Sequence, residues 1–207
     1  MIETPKTKMN LPNKLTMFRI FCVPFFLLFL LVKDIPLNIL WAGIIFMVAM
    51  ITDLLDGRIA RKYNLVTAFG KFWDPLADKL ITLTALIGIA ALSDFALLPA
   101  IVACVVLWRE LIVTGLRLVA AGGSGKVIAA NIWGKMKTTF QCIYIGFELF
   151  SMFFTDNLGL SEKSAFYRDS FQPVFNTVTI VTGCIMIILT IWSGWTYYRD
   201  NKEALKM

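Results

Sequence analysis

Four aspartates lie on two short stretches of an otherwise apolar chain, at spacings that permit shared chemistry. Asp53 and Asp56 are three residues apart, and Asp74 and Asp78 are four apart. On α-helices such residues stand one turn apart on the same face, so each pair can point in one direction. The chain is 58% hydrophobic, with a mean hydropathy of +0.73. Because buried carboxylates need cationic partners, the two pairs predict a cation site between two neighbouring helices.

The chemistry of these side chains indicates which cation they would hold. Carboxylate oxygens are hard ligands that suit Mg²⁺ or Mn²⁺, and the sequence has no histidine. Two such ions would balance four carboxylates and could hold a pyrophosphate. Gly57 and Gly70, beside the two pairs, leave room for a ligand to approach the backbone. The alternative is a buried charge network that only fixes helix packing, but acids within a membrane are usually functional.

The aspartates belong to a longer pattern, D-x2-D-G-x2-A-R-x8-G-x3-D-x3-D, which runs from Asp53 to Asp78. This pattern resembles the complete signature of the CDP-alcohol phosphatidyltransferases. The resemblance implies that Asp53, Asp56 and Asp74 are metal ligands. It also implies that Asp78 both contacts a metal and accepts the proton of the attacking hydroxyl.

The same resemblance assigns the contacts to CDP-diacylglycerol. They would come from Asn13, Thr16, Gly57, Arg61, Thr67 and Gly70. Two alternatives stay open: Asn13 and Thr16 have the side chains of a helix N-cap, and Arg61 could be a charge at the membrane surface.

Basic residues gather in a second segment, Trp108 to Gln141, around a glycine-rich loop at 122–125. We expect Arg109, Arg117 and Lys135 to bind a phosphate monoester, since arginine offers bidentate contacts. For Lys126 and Lys137, contact with lipid head groups is an equal alternative. The motifs R-E-x-x-V-x-G-L-R and G-K-x-K-T-x-x-Q are similar to the family branch whose acceptor is glycerol 3-phosphate.

Long apolar runs predict an all-α polytopic membrane protein, with a short interfacial helix at the N-terminus. Six runs have about the length of a membrane span: 18–32, 35–55, 76–92, 95–119, 132–154 and 174–198. No long linker separates them, so we expect one domain over residues 1–207. Glu148 lies inside the fifth run, and both a structural and a functional role stay open for it and for the loop at 155–172.

The distribution of positive charge predicts the orientation. When the six spans alternate, seventeen of the twenty lysines and arginines fall on the side of the termini, and only Lys33, Lys163 and Arg168 fall on the other. This asymmetry places both termini and the aspartates on the cytoplasmic side of a bacterial cell membrane. It also accounts for the net charge of +6, so a nucleic-acid surface is not required.

The resemblance implies an enzyme that transfers the phosphatidyl group of CDP-diacylglycerol to glycerol 3-phosphate, with two Mg²⁺ or Mn²⁺ ions. It also implies a homodimer in contact with membrane lipids. The aspartate pattern does not encode the acceptor, so inositol phosphate or serine is an alternative. A divalent-cation transporter is the alternative from another class, although its acids would be spread along a transmembrane path.

Overall fold

The protein is predominantly helical in the part that the computed structural model describes, which is the backbone of residues 10–62, 68–93, 97–123, 132–160 and 164–202. The side chains of residues 56–62, 68–72, 75 and 117–123 are not among the described groups. The long helices are α1 (Leu11–Leu31), α2 (Asn38–Lys62), α3 (Ala68–Leu92), α4 (Leu97–Gly123), α5 (Ile132–Met152) and α6 (Gln172–Asn201). No strand occurs in these residues, which confirms the all-α prediction.

Four helical stretches in the described residues are long and apolar enough to cross a bilayer: Leu11–Leu31, Asn38–Leu55, Leu97–Leu116 and Tyr167–Asn201. The helices α3 and α5 have 25 and 21 residues, which is also sufficient length, but they carry more charge. Large apolar side chains such as Phe21, Trp108 and Ile188 are exposed. Apolar exposure on this scale indicates a surface that faces lipid. The chain is therefore a multi-pass membrane protein.

The chain divides into two compact units, residues 1–84 and 85–207, with the boundary inside α3. In the first unit α1 packs against α2. The buried rings of Phe26 and Phe46 lie 6.2 Å apart at this contact. Ala42 and Ala49, both buried on α2, are small enough to let two membrane helices approach closely. The prediction of one domain stays a prediction.

In the second unit α6 packs against both α4 and α5. Val106 of α4, Ile145 of α5 and Met186 of α6 are buried there. A Cβ atom built on Gly183 would lie 3.2 Å from Leu98 Cδ2, so the glycine lets α4 and α6 pack closely. This unit forms its own apolar core.

Several sequence predictions about element boundaries need correction. The helix α1 runs without a break from Leu11, so a separate interfacial helix is not confirmed. Asn13 and Thr16 lie inside this helix, and the N-cap alternative for them is wrong. The helix α4 continues to Gly123, which places the first half of the expected glycine-rich loop in its last turn. The expected loop at 155–172 includes two π-helical turns, Phe153–Asn157 and Tyr167–Phe171.

Candidate active site

One face of α1 carries polar side chains into the core of the first unit. Asn13, Thr16 and Arg19 follow one another at intervals of three residues, and all three are buried. This spacing keeps them on one side of the helix, as adjacent turns require. Cys22 and Phe26 continue the same buried stripe in apolar form. The start of α1 therefore presents hydrogen-bonding groups where its later turns present apolar ones.

Thr16 meets an aspartate of α3. Its Oγ1 donates a hydrogen bond to Asp74 Oδ1 at 2.5 Å, and a longer contact of 3.1 Å reaches the carbonyl oxygen of Pro12. Because a hydroxyl has a single proton, the shorter contact to a charged acceptor dominates. In this structure Thr16, predicted to contact the nucleotide, orients the carboxylate of Asp74.

Arg19 meets an aspartate of α2. Its Nη1 lies 2.6 Å from Asp53 Oδ1, and the arginine side chain is 0% exposed whereas that of Asp53 is 36% exposed. A buried guanidinium is stable only when a carboxylate or other acceptor compensates its charge. Arg19 is a functional candidate to which the sequence predictions gave no role in the site, although it ends the pattern N-x2-T-x2-R that begins at Asn13. The indication in the sequence was that Asn13, Thr16 and Arg19 follow one another at intervals of three residues.

These two contacts bring Asp53 and Asp74 to adjacent turns of α1, although they come from different helices. The Cβ atoms of residues three apart on a helix lie about 5–6 Å from each other. One carboxylate of α2 and one of α3 thus meet one short stretch of α1, and the convergence of all four aspartates stays a prediction.

The other two aspartates are Asp56 on α2 and Asp78 on α3. Asp78 is half-buried one turn after Asp74, and its backbone carbonyl accepts a hydrogen bond from Thr82 Oγ1 at 2.9 Å. The side chain of Asp56 is outside the described groups. Among the side chains that are described, no three acidic, histidine or cysteine residues lie close enough to hold a metal ion. The donors nevertheless fit Mg²⁺ or Mn²⁺ chemically, because Asp53 and Asp74 each bring a hard carboxylate to the same turns of α1.

Most of the predicted nucleotide contacts fall on residues whose side chains are outside the described groups. Asn13 is buried at the start of α1. Gly57 and Arg61 lie in α2 and Gly70 lies in α3, without described side-chain positions, and Thr67 is outside the described residues. Their assignment as CDP-diacylglycerol ligands stays a prediction.

A second polar cluster lies in the second unit, where the two basic motifs meet. Glu110 Oε1 accepts hydrogen bonds from Lys137 Nζ at 2.8 Å and from Arg109 Nη1 at 3.1 Å. Lys137 Nζ also donates to Gln141 Oε1 at 2.5 Å, and Arg109 Nε donates to Ser193 Oγ at 3.2 Å. Two cations and one anion leave a net positive charge, which suits an anionic phosphate.

Arg109 lies against α5 at Gly134. A Cβ atom built there would be 3.4 Å from Arg109 Nη2, which is at the limit of ordinary contact. Lys137 is only 2% exposed, so the alternative that its ammonium touches lipid head groups is wrong. Lys135 is exposed two residues earlier, on another face of α5. The side chain of Arg117 is outside the described groups.

The comparisons with known proteins agree with the aspartate pattern. The family model for CDP-alcohol phosphatidyltransferase matches residues 9–196. The chain is 41% identical to the "CDP-diacylglycerol--glycerol-3-phosphate 3-phosphatidyltransferase" of Bacillus subtilis, over 95% of this chain and 97% of the relative. It is 34% identical to a protein of the same name from Haemophilus influenzae, over 96% of each chain. A third relative of that name, from Rickettsia bellii, is 34% identical over 94% of this chain and 96% of its own length.

These matches cover nearly the whole chain, including both the α1–α3 aspartate region and the cluster around Glu110. They confirm the family that the pattern from Asp53 to Asp78 resembles. The chain belongs to the CDP-alcohol phosphatidyltransferase family.

Proposed function

We propose that the protein transfers the phosphatidyl group of CDP-diacylglycerol to glycerol 3-phosphate, which gives phosphatidylglycerophosphate and CMP. The observation that carries this proposal is the similarity over almost the full length to relatives whose names state the same substrates. The aspartates needed for the chemistry are all present. The protein is thus a transferase of phospholipid biosynthesis.

The proposed arrangement in the membrane has six spans, α1 to α6, with the first turns of α1 at the interface and both termini in the cytoplasm. Its support is the seventeen-to-three distribution of positive charges. Arg19 and Lys137 are buried in ion pairs. Without these two residues, fifteen positive charges lie on the side of the termini and three on the other side, so the proposed orientation is unchanged. The relatives are bacterial, so we expect a bacterial cell membrane, where the protein forms a homodimer.

The reaction that we propose is a displacement at the phosphorus attached to diacylglycerol. The acceptor hydroxyl oxygen forms a new bond to this phosphorus. The bond from the phosphorus to the oxygen shared with CMP breaks, and CMP leaves with the electron pair. The hydroxyl proton passes to the carboxylate of Asp78, which is the general base of the proposal.

The aspartates would hold two divalent ions, with Asp53, Asp56, Asp74 and Asp78 as ligands. Such ions, when bound, stabilise the negative charge that develops on the leaving oxygen. Arg19 and Thr16 fix the directions of Asp53 and Asp74 through the contacts at 2.6 and 2.5 Å. We therefore regard Arg19 and Thr16 as positioning residues that keep two carboxylates in place before substrate binds.

For the acceptor we propose that its phosphate binds Arg109, Arg117 and Lys135. Arg109 is held by Glu110 and Ser193, which lowers the entropy lost when it binds an anion. The single acid of the cluster is shared between Lys137 and Arg109, so positive charge remains for the ligand.

An acceptor panel tests this function directly. Purified protein in detergent–lipid micelles is given fluorescent CDP-diacylglycerol with glycerol 3-phosphate, inositol phosphate or serine, each with and without EDTA. We expect lipid product and CMP in equal amounts only with glycerol 3-phosphate, and none after EDTA. Product formed with another acceptor would show that the proposed acceptor is wrong. Full activity in the presence of EDTA would show that the reaction does not need divalent ions.

A further inference from the structure

A small polar cavity lies in the second unit, at the end of α5 opposite the Lys137–Glu110 pair. Its volume is about 60 Å³, enough for a cation with one or two waters. The cavity is lined from three sides, by the end of α3, by α5 with the π-helical turn that follows it, and by the start of α6. Two carboxylates, Glu148 and Asp156, are among its lining residues.

Glu148 is the buried one of these two acids. The residue is 4% exposed, whereas Asp156 is exposed. Tyr144 and Thr179 lie next to Glu148, yet Glu148 Oε1 and the Tyr144 hydroxyl are buried without reaching hydrogen-bond geometry with any described protein group. No lysine or arginine is among the described residues that line the cavity. A buried carboxylate in this setting must be neutralised by a proton or by a bound cation.

The other lining groups favour a cation, because they offer oxygen acceptors. Asn176 and Thr179 stand one turn apart on α6 and contribute an amide and a hydroxyl. The Thr155 hydroxyl donates its proton to backbone carbonyls of Ser151 and Met152, at 3.1 and 3.2 Å, so its lone pairs remain available. Neutral oxygens around one carboxylate are the ligands that small hard cations prefer.

We propose that this cavity is a binding site for a small hard cation, with Glu148 as its charged ligand and Thr179 and Asn176 as neutral ones. Asp156 lines the cavity and is exposed, so its charge attracts cations towards the cavity. A cation held here joins α5 to α6 and stabilises that end of the second unit. The site does not depend on the transfer reaction.

The test is a count of bound cations. Purified wild-type protein is compared with Glu148→Gln by equilibrium dialysis against ²²Na⁺ and, separately, ⁴⁵Ca²⁺, with choline chloride to keep the ionic strength constant. We expect Glu148→Gln to bind one ion fewer per chain than wild type in one of the two arms, and that arm identifies a monovalent or a divalent ion. The same difference is expected in an Asp53→Asn background, because Asp53 lies in the first unit and the cavity lies in the second.

A second variant covers the case in which Glu148→Gln does not fold. Thr179→Val keeps the carboxylate but removes one oxygen ligand, and we expect its affinity for the ion to fall by about tenfold. Thermal unfolding supplies an independent readout, because an ion at 100 times its Kd should raise the wild-type Tm by roughly 5–10 °C. Equal ion counts in wild type and Glu148→Gln, or unchanged affinity in Thr179→Val, would overturn the site and leave Glu148 as a protonated core residue.

Discussion

Replacing Arg19 by methionine tests the contact that orients Asp53. The guanidinium is fully buried, and its Nη1 lies 2.6 Å from Asp53 Oδ1. Removing one partner of a fully buried ion pair costs about 3–5 kcal/mol. Because the Asp53 side chain is 36% exposed, its charge is partly screened, and we expect a smaller loss of roughly 2 kcal/mol. For a chain of this length that loss lowers the Tm by about 4–8 °C.

A double-mutant cycle separates this pair from general damage to the core. Arg19→Met, Asp53→Asn and the double variant are purified in detergent, and their thermal unfolding is followed by circular dichroism. We expect the double variant to be more stable than the sum of the single losses, by about 1–2 kcal/mol. Arg199→Met is the matched control, because Arg199 is 61% exposed in its pair with Asp200 and should change stability by less than about 0.5 kcal/mol. Additive losses, or an Arg19→Met effect no larger than that of the control, would refute the reasoning.

Three further predictions concern the reaction and the second cluster. Asp78→Asn should abolish transfer while CMP binding, measured by calorimetry, is largely retained; substantial residual turnover would remove Asp78 from the role of base. Arg117→Ala should raise the KM for glycerol 3-phosphate more than that for CDP-diacylglycerol, and an equal effect on both in steady-state kinetics would contradict the assignment. Glu110→Gln deprives the buried Lys137 ammonium of its carboxylate partner, so unfolding should become easier by about 2–4 kcal/mol. The double variant with Lys137→Met should restore most of that loss in thermal unfolding.

The convergence of Asp53 and Asp74 could be predicted because helical periodicity turns sequence spacing into position on a face. An interval of three or four residues puts two side chains on one side whatever surrounds the helix. The family followed from the resemblance of the whole pattern from Asp53 to Asp78, whose fixed separations lie on two consecutive helices. The spacing of the aspartates was therefore sufficient to predict that they lie on two consecutive helices.

The partners of the aspartates could not be predicted with equal certainty, since they depend on tertiary packing. An arginine near the start of an apolar helix, such as Arg19, has the same sequence appearance whether it faces lipid head groups or a carboxylate of another helix. Lys137 gives a similar example, because only the approach of α5 to Glu110 shows that its ammonium is buried. The intervals between Asn13, Thr16 and Arg19 indicated that the three side chains share one face of a helix. They did not indicate which residues that face contacts.

Element ends were the other source of error. Proline at position 12 is well accommodated in the first turn of a helix, so α1 begins before the polar residues that looked like caps. Gly122 and Gly123 are compatible with a last helical turn as well as with a loop, and the helix extends through them. At both places the residue types are compatible with two local conformations, so the sequence alone does not determine where the helix begins or ends.

The most direct test of the central claim is a count of Mn²⁺ ions bound by the aspartate cluster, made by electron paramagnetic resonance on the purified protein. We expect two ions per wild-type chain, with the spin coupling of a pair about 3.5–4 Å apart, and no coupled pair in Asp53→Asn or Asp74→Asn. A wild-type protein that binds no Mn²⁺ at millimolar concentration, or variants that retain the coupled pair, would contradict the claim that these carboxylates hold the catalytic ions.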